Sequence, residues 1–277
     1  MSPEEIRRKL EFYQDLGFKE IYRRAPGAGA GGETPLPRGR GSEPASGGTE
    51  PASGRGSEPV SGRGSELLSG RASEALSDLV LPSMAPAGDT LEIIREEIGE
   101  CTRCRLHKGR NKLVFGVGNA EAKLVFVGEG PGADEDEQGI PFVGRAGQLL
   151  TQMIENTASK EGIPLKRPDV YICNVVKCRP PENRTPEPDE MEICGQFLFR
   201  QLSVIKPKAI CALGSTAVKA LLGGKDGVTK LRGKWHKWHD IPLMVTYHPS
   251  YLLRPYNQNA KREAWEDLKK VLHFVYD

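Results

Sequence analysis

The sequence predicts an α/β fold, three layers with a four-stranded parallel sheet between helices, and three observations carry that prediction. Four short apolar runs bounded by turn residues recur at 123–129 (KLVFVGE), 170–178 (VYICNVVKC), 209–214 (AICALG) and 243–248 (LMVTYH). Helical patterns lie between or after them, at 147–160, 189–205, 215–222 and 261–275. Strands alternating with helices call for a parallel sheet covered on both faces. The block from Asp89 to Asp277, about 190 residues, is ample for one such domain.

The elements follow in chain order. Residues 1–24 place Ile6, Leu10, Tyr13 and Leu16 at helical spacing, with Gly17 as a stop, and predict a short helical segment. Residues 25–88 hold many of the 32 Gly and 21 Pro and no Tyr, Phe, Trp, Ile or Cys. Units such as RGSEPASG, RGSEPVSG and RGSELLSG repeat there without an apolar face to stack, so this stretch reads as a disordered linker. Asp89 and Thr90 then cap a helix that runs into the first cysteine pair. A net charge of +2 excludes a polycation, so any grip on nucleic acid must come from local patches. No run approaches a membrane span and the first residues lack the apolar stretch of a secretory signal, which predicts no membrane contact and a cytoplasmic protein.

In open α/β sheets, ligands bind beyond the carboxyl ends of the strands, and polar residues collect there. The first run leads into Gly128-Glu129-Gly130-Pro131-Gly132, the second contains Asn174 amid Val and Ile, and the fourth ends at His248-Pro249-Ser250. A glycine-rich loop can cradle phosphate, but the acidic run 134–137 (DEDE) repels one, and neither the GxGxxG spacing nor a Lys-Ser/Thr pair is present. Cys101-x2-Cys104, Cys178 and Cys194 each flank a regular element and form a metal-type set, whose spacing fits zinc and an iron–sulfur cluster equally. Cys173 and Cys211 sit inside apolar runs as small buried thiols.

Four long motifs then occur in order: GEGPGADEDEQGIPFVGRAGQLL (128–150), YICNVVKCRPPENRTP (171–186), RGKWHKWH (232–239) and HPSYLLR (248–254). Together they make residues 91–275 closely resemble the family 4 uracil-DNA glycosylases, the iron–sulfur branch of that superfamily. The resemblance implies that 89–277 is a catalytic domain that hydrolyses the N-glycosidic bond of deoxyuridine in DNA. It also implies one [4Fe-4S] cluster on Cys101, Cys104, Cys178 and Cys194, a bacterial cytoplasmic setting near the nucleoid, and uracil-containing DNA, single- or double-stranded, as partner. Residues 1–24 offer a docking segment for a repair or replication protein.

An enzyme acting on a base in DNA must extrude the nucleotide, stack the base, read its edge and stabilise the departing anion. Phe142, in a loop rich in Gly and Pro, is the stacking candidate. Asn174 presents an acceptor and donors side by side, matching uracil N3–H and O4 and mismatching cytosine. His248 can donate to O2, where charge grows, and backbone N–H groups around Glu129, Gly130 and Pro131, the proline excepted, can support the same oxygen. In family 1 enzymes the loop reads GQDPYH and its Asp orients the attacking water. Gly130 stands at that position here, leaving Asn183, Glu135 and Glu129 as water-orienting candidates. No Tyr in this loop excludes the thymine methyl, and Glu135 is the candidate substitute. Lys230, Arg232, Lys234 and Lys237, alternating with Trp235 and Trp238, suit phosphate contacts, and Leu252 and Leu253 suit a wedge that fills the vacated stack. The alternatives are a superfamily member that binds uracil-DNA without turnover, disfavoured by the lack of a KRRIH-type insert, and a non-catalytic or polymerase-associated DNA-binding module.

Overall fold

The computed structural model describes residues 85–254 and 257–277. The helical segment expected over 1–24 and all but the end of the linker expected over 25–88 lie outside these residues. Among the described residues, no helix is long and apolar enough to cross a membrane.

The described chain opens with α1 (Leu91–Ile98), where the Thr90 hydroxyl accepts a hydrogen bond from the Ile93 N–H at 3.2 Å and the buried Leu91, Ile94 and Ile98 share one face. The strands are β1 (Val117–Gly118), β2 (Leu124–Gly128), β3 (Tyr171–Asn174), β4 (Ala209–Leu213), β5 (Trp235–Trp238) and β6 (Ile241–Thr246). Their order is β1-β3-β2-β4-β6-β5. The four central strands run parallel, and β1 and β5 pair antiparallel at the two edges. The four predicted strands are thus the parallel core of a six-stranded mixed sheet.

Both faces of that core are apolar, as a parallel sheet demands. Val125, Val127, Ile210 and Val245 face one side, with Ile94 of α1, Leu198 of α4 (Pro188–Ile205) and Val218 of α5 (Gly214–Leu222). Leu124, Phe126, Cys211 and Met244 face the other, with Ile154 of α3 (Arg145–Lys160) and Leu268 and Val271 of α8 (Gln258–Tyr276). Three short helices complete the set: α2 (Ala133–Gln138), α6 (Val228–Leu231) and α7 (Pro249–Leu252). From β2 the chain moves to β3 on one side and returns to β4 on the other, so β2 is where the strand order reverses. That switch point opens a crevice at the carboxyl ends of the strands.

Candidate active site

The crevice is shaped first by backbone. A Cβ on Gly128 would lie 2.5 Å from both Asn174 Oδ1 and Phe142 Cζ, so the end of β2 passes its neighbours at a distance that only glycine permits. Phe142 itself has φ 55°, an uncommon conformation for a residue with a side chain, and the surroundings hold it there. Glu135 Oε1 accepts the N–H groups of Val143 and Gly144, each at 2.9 Å, and Oε2 accepts that of Gly132 at 3.1 Å. Arg167 donates from Nη2 to the Pro141 carbonyl and from Nη1 to Thr151 Oγ1, both at 2.8 Å. Gly147 lets α3 abut the Phe142 peptide, where a Cβ would fall 1.9 Å from the carbonyl carbon. The result is a seated aromatic ring facing His248 at 5.6 Å between centroids.

The polar groups converge on the same space. Asn174 is 1% exposed, yet its Oδ1 has no hydrogen-bond partner. Such an atom costs free energy until a donor reaches it. His248 caps α7: its Nδ1 accepts the Ser250 N–H at 3.2 Å and lies 2.8 Å from the Ser250 hydroxyl. With Nδ1 accepting, the neutral imidazole carries its proton on Nε2 and is a donor there. Burial pushes the His248 pKa down to about 4, with Glu135 pulling weakly the other way, so the neutral form holds at pH 7.

Glu129, Glu135 and Asn183 also line this crevice, which encloses about 720 Å³ of empty space open to solvent together with Gly130, Pro131, Phe142, Asn174 and His248. Glu129 Oε2 accepts the hydroxyl proton of Thr216 on α5. Asn183, at φ 56°, accepts from Arg179 Nε at 2.8 Å through its Oδ1. Every base-facing and water-orienting candidate from the sequence therefore meets in one cavity. Thr216, Arg167 and Arg179, which hold the candidates in place, were not foreseen.

Two expectations need correction. Leu252 is 1% exposed and packs with Ala260 and Ala264, so it cannot enter DNA; Leu253, 40% exposed, can. The basic segment also divides. Arg232 donates to Asp267 Oδ1 at 2.7 Å and Oδ2 at 3.0 Å and is not available to a phosphate, and Lys230 pairs with Asp226 at 2.8 Å. Lys237 is opposite Pro242, near the amino end of β6 and away from the crevice, and Trp238 is buried against Phe199. Lys234 remains exposed at the crevice end of the edge strand.

Apart from this crevice, Cys101, Cys104, Cys178 and Cys194 line one small pocket together with Leu113, Lys177 and Phe197. All six cysteines are free thiols. Among the described residues, no group of three or more His, Cys, Asp or Glu side chains is placed to hold a metal ion. Burial pushes the Cys104 thiol up to about 11 and raises Cys178 and Cys194 as well, with neighbouring sulfurs adding to the effect. Bringing several thiolates together here requires a cationic centre. Hydrogen bonds to sulfur are already in place: Arg103 Nη1 to Cys101 at 3.5 Å, Arg110 Nη1 to Cys178 at 3.4 Å and the Lys177 N–H to Cys194 at 3.2 Å. Such bonds stabilise cluster-bound thiolates. Four cysteine sulfurs are the donor type that an iron–sulfur group takes.

Residues 115–269 match the model of the "Uracil DNA glycosylase superfamily". The chain is 46% identical over 189 residues to a type-4 uracil-DNA glycosylase of Thermotoga maritima, covering 68% of this chain and 95% of that protein. It is 45% identical over 191 residues to a type-4 uracil-DNA glycosylase of Sulfurisphaera tokodaii, covering 66% and 84%. A third, from Archaeoglobus fulgidus, is 42% identical over 191 residues, covering 66% and 92%. With its switch-point crevice and four-cysteine cavity, the chain belongs to the type-4 branch of the uracil-DNA glycosylase superfamily.

Proposed function

We propose that the protein extrudes uracil from DNA and hydrolyses its N-glycosidic bond, releasing free uracil and leaving an abasic site for repair. The observation that carries this reading is the unpartnered, buried Asn174 Oδ1 beside the Phe142 ring. With uracil stacked on that ring, Oδ1 accepts N3–H while Nδ2 donates to O4. Cytosine has no N3–H and a donor in place of O4, so it leaves the amide doubly mismatched. His248 Nε2–H donates to O2 as the base departs with its electron pair, and the N–H groups of Glu129 and Gly130 support the same anion. Water adds to the sugar carbon, its proton passing to a group of the crevice. Glu129 is the favoured acceptor, because Thr216 holds one of its oxygens and the other is free to face the water.

In this reading the four cysteines hold one cluster of four irons and four sulfides. When bound, the cluster supplies cross-linking rather than electrons to a reaction that needs none, joining the segment after α1 to α4 and the chain after β3. A chain with this activity works on cytoplasmic DNA, with residues 89–277 as the catalytic domain, 25–88 as a tether and 1–24 free to engage a repair or replication partner.

Cleavage of a uracil-containing oligonucleotide after alkali treatment tests the reading, and a chain that leaves the uracil in place or is trapped as an adduct overturns it. The exposed Leu253 follows α7 directly after the His248 cap, where it can fill the stack vacated by the base. Leu253→Ala is expected to slow cleavage of duplex about tenfold while sparing single strands, since only duplex charges the unstacking cost. Rates on matched duplex and single-stranded substrates check this.

A further inference from the structure

Lys177 is the single fully buried lysine among the described residues, and no carboxylate there pairs with it. Its Nζ donates to the Asn174 carbonyl and to Gln201 Oε1, each at 2.7 Å. Gln201 is anchored in turn, donating from Nε2 to the Phe115 carbonyl and the Tyr171 hydroxyl, both at 3.1 Å. The Lys177 main chain is fixed at both ends, its N–H on Cys194 Sγ at 3.2 Å and its carbonyl accepting from Val114 at 2.8 Å. One residue therefore touches the wall of the four-cysteine cavity and the backbone of Asn174.

A fully buried amine with no carboxylate beside it costs free energy unless its hydrogen bonds are made, and here they hold the backbone of another residue in place. Asn174 needs holding. It is the last residue of β3, paired with Gly128; the Val175 and Val176 N–H groups still reach the Gly128 and Glu129 carbonyls, at 3.0 and 3.1 Å, while the carbonyl of Asn174 itself is taken by Lys177. We propose that Lys177 is a positioning residue for uracil recognition: by gripping the Asn174 carbonyl from the cysteine-cavity side, it sets the direction of the amide that reads the base. The proposal rests on the glycosylase reading above and deepens it, because it makes the cysteine-lined wall part of what defines the uracil slot.

The test uses the full chain carrying Lys177→Met, which keeps length and removes the donor. Iron and sulfide content and the visible absorbance of the cluster are recorded first, then the affinity for free uracil by equilibrium dialysis, the affinity for abasic-site duplex, and single-turnover kinetics. Losing the donor to a buried carbonyl is expected to weaken free-uracil binding about tenfold with iron content unchanged. The affinity for abasic duplex, which presents no base to Asn174, should change less than twofold. Equal uracil affinity in the variant and the parent overturns the proposal, as does an equal loss on abasic duplex. Should Lys177→Met fail to retain iron, Gln201→Leu decides, since it frees the Lys177 Nζ without touching a cysteine neighbour. A smaller loss of uracil affinity is expected there, and no loss overturns the proposal. A parent chain that neither cleaves nor binds uracil would sink the glycosylase reading instead, a result distinct from parent activity that Lys177→Met leaves intact.

Discussion

Replacing His248 by Leu is expected to lower single-turnover cleavage of uracil-DNA by about 10²- to 10³-fold, the usual effect of removing one preorganised donor from a developing anion. The Ser250 N–H fixes Nδ1 as the acceptor, so the donor at Nε2 exists without any proton uptake from solvent. A neutral donor is also the form that burial favours, with the pKa near 4 instead of the ordinary 6.5. The cleavage rate of the parent chain should therefore show no titration of this histidine until the pH approaches 4. Stability follows with a definite sign. Above pH 6.5 both folded and unfolded chains hold the imidazole neutral, and it adds nothing to the pH dependence. Between 6.5 and about 4 the unfolded chain takes up a proton that the folded chain refuses, so folding weakens as pH falls across that window. His248→Leu removes this dependence, and urea unfolding at pH 5 and pH 8 should show a smaller difference for the variant than for the parent. An inflection in the parent's rate near pH 6.5 that disappears in the variant would contradict the assignment of a neutral donor.

The parallel core was legible because its strands are buried on both faces. Leu124–Gly128 and Ala209–Leu213 have no exposed position, and a short, continuous apolar run between turns is the pattern that a strand covered on both sides imposes. The edges carry a weaker signal. β1 is two exposed residues, and β5 reads WHKW with only Trp238 buried. The crevice residues were legible for a different reason: they cluster at strand ends, and the long motifs around them resemble one family. What holds those residues was less so, because several of the holds span the chain: Thr216 reaches Glu129 across 87 residues and Arg167 reaches the Pro141 carbonyl across 26. Arg232 looks like a phosphate contact until Asp267, 35 residues on, is seen to take its guanidinium. Leu252 and Leu253 are adjacent and chemically identical, and only the packing of α7 on α8 sends one inward. Two further signals are present in the chain. Gly132 and Glu135 stand at capping-box spacing, which accounts for part of the Glu135 carboxylate's engagement, and a lysine inside VVKC is out of place in an apolar run unless its Nζ is satisfied.

Glu129→Gln is expected to reduce the cleavage rate by about 10²- to 10³-fold with little change in KM, because general-base assistance acts on the transition state and not on binding. Three candidates line the crevice, and their hydrogen bonds separate them. Asn183 is an amide that cannot take a proton at neutral pH, and Arg179 occupies its oxygen. Glu135 spends both oxygens on the N–H groups of Gly132, Val143 and Gly144, so its removal should disturb the loop that carries Phe142 and raise KM along with lowering the rate. Glu129 alone has one oxygen held by a hydroxyl and the other uncommitted to the backbone. Glutamine at 129 keeps an oxygen for the Thr216 hydroxyl while removing the capacity to accept a proton, so a large rate loss with the fold intact isolates the chemical role. The split between rate and KM is the measurement that matters. If Glu129→Gln raises KM and Glu135→Gln lowers only the rate, the two carboxylates have exchanged roles, and the water lies on the α2 side of the crevice.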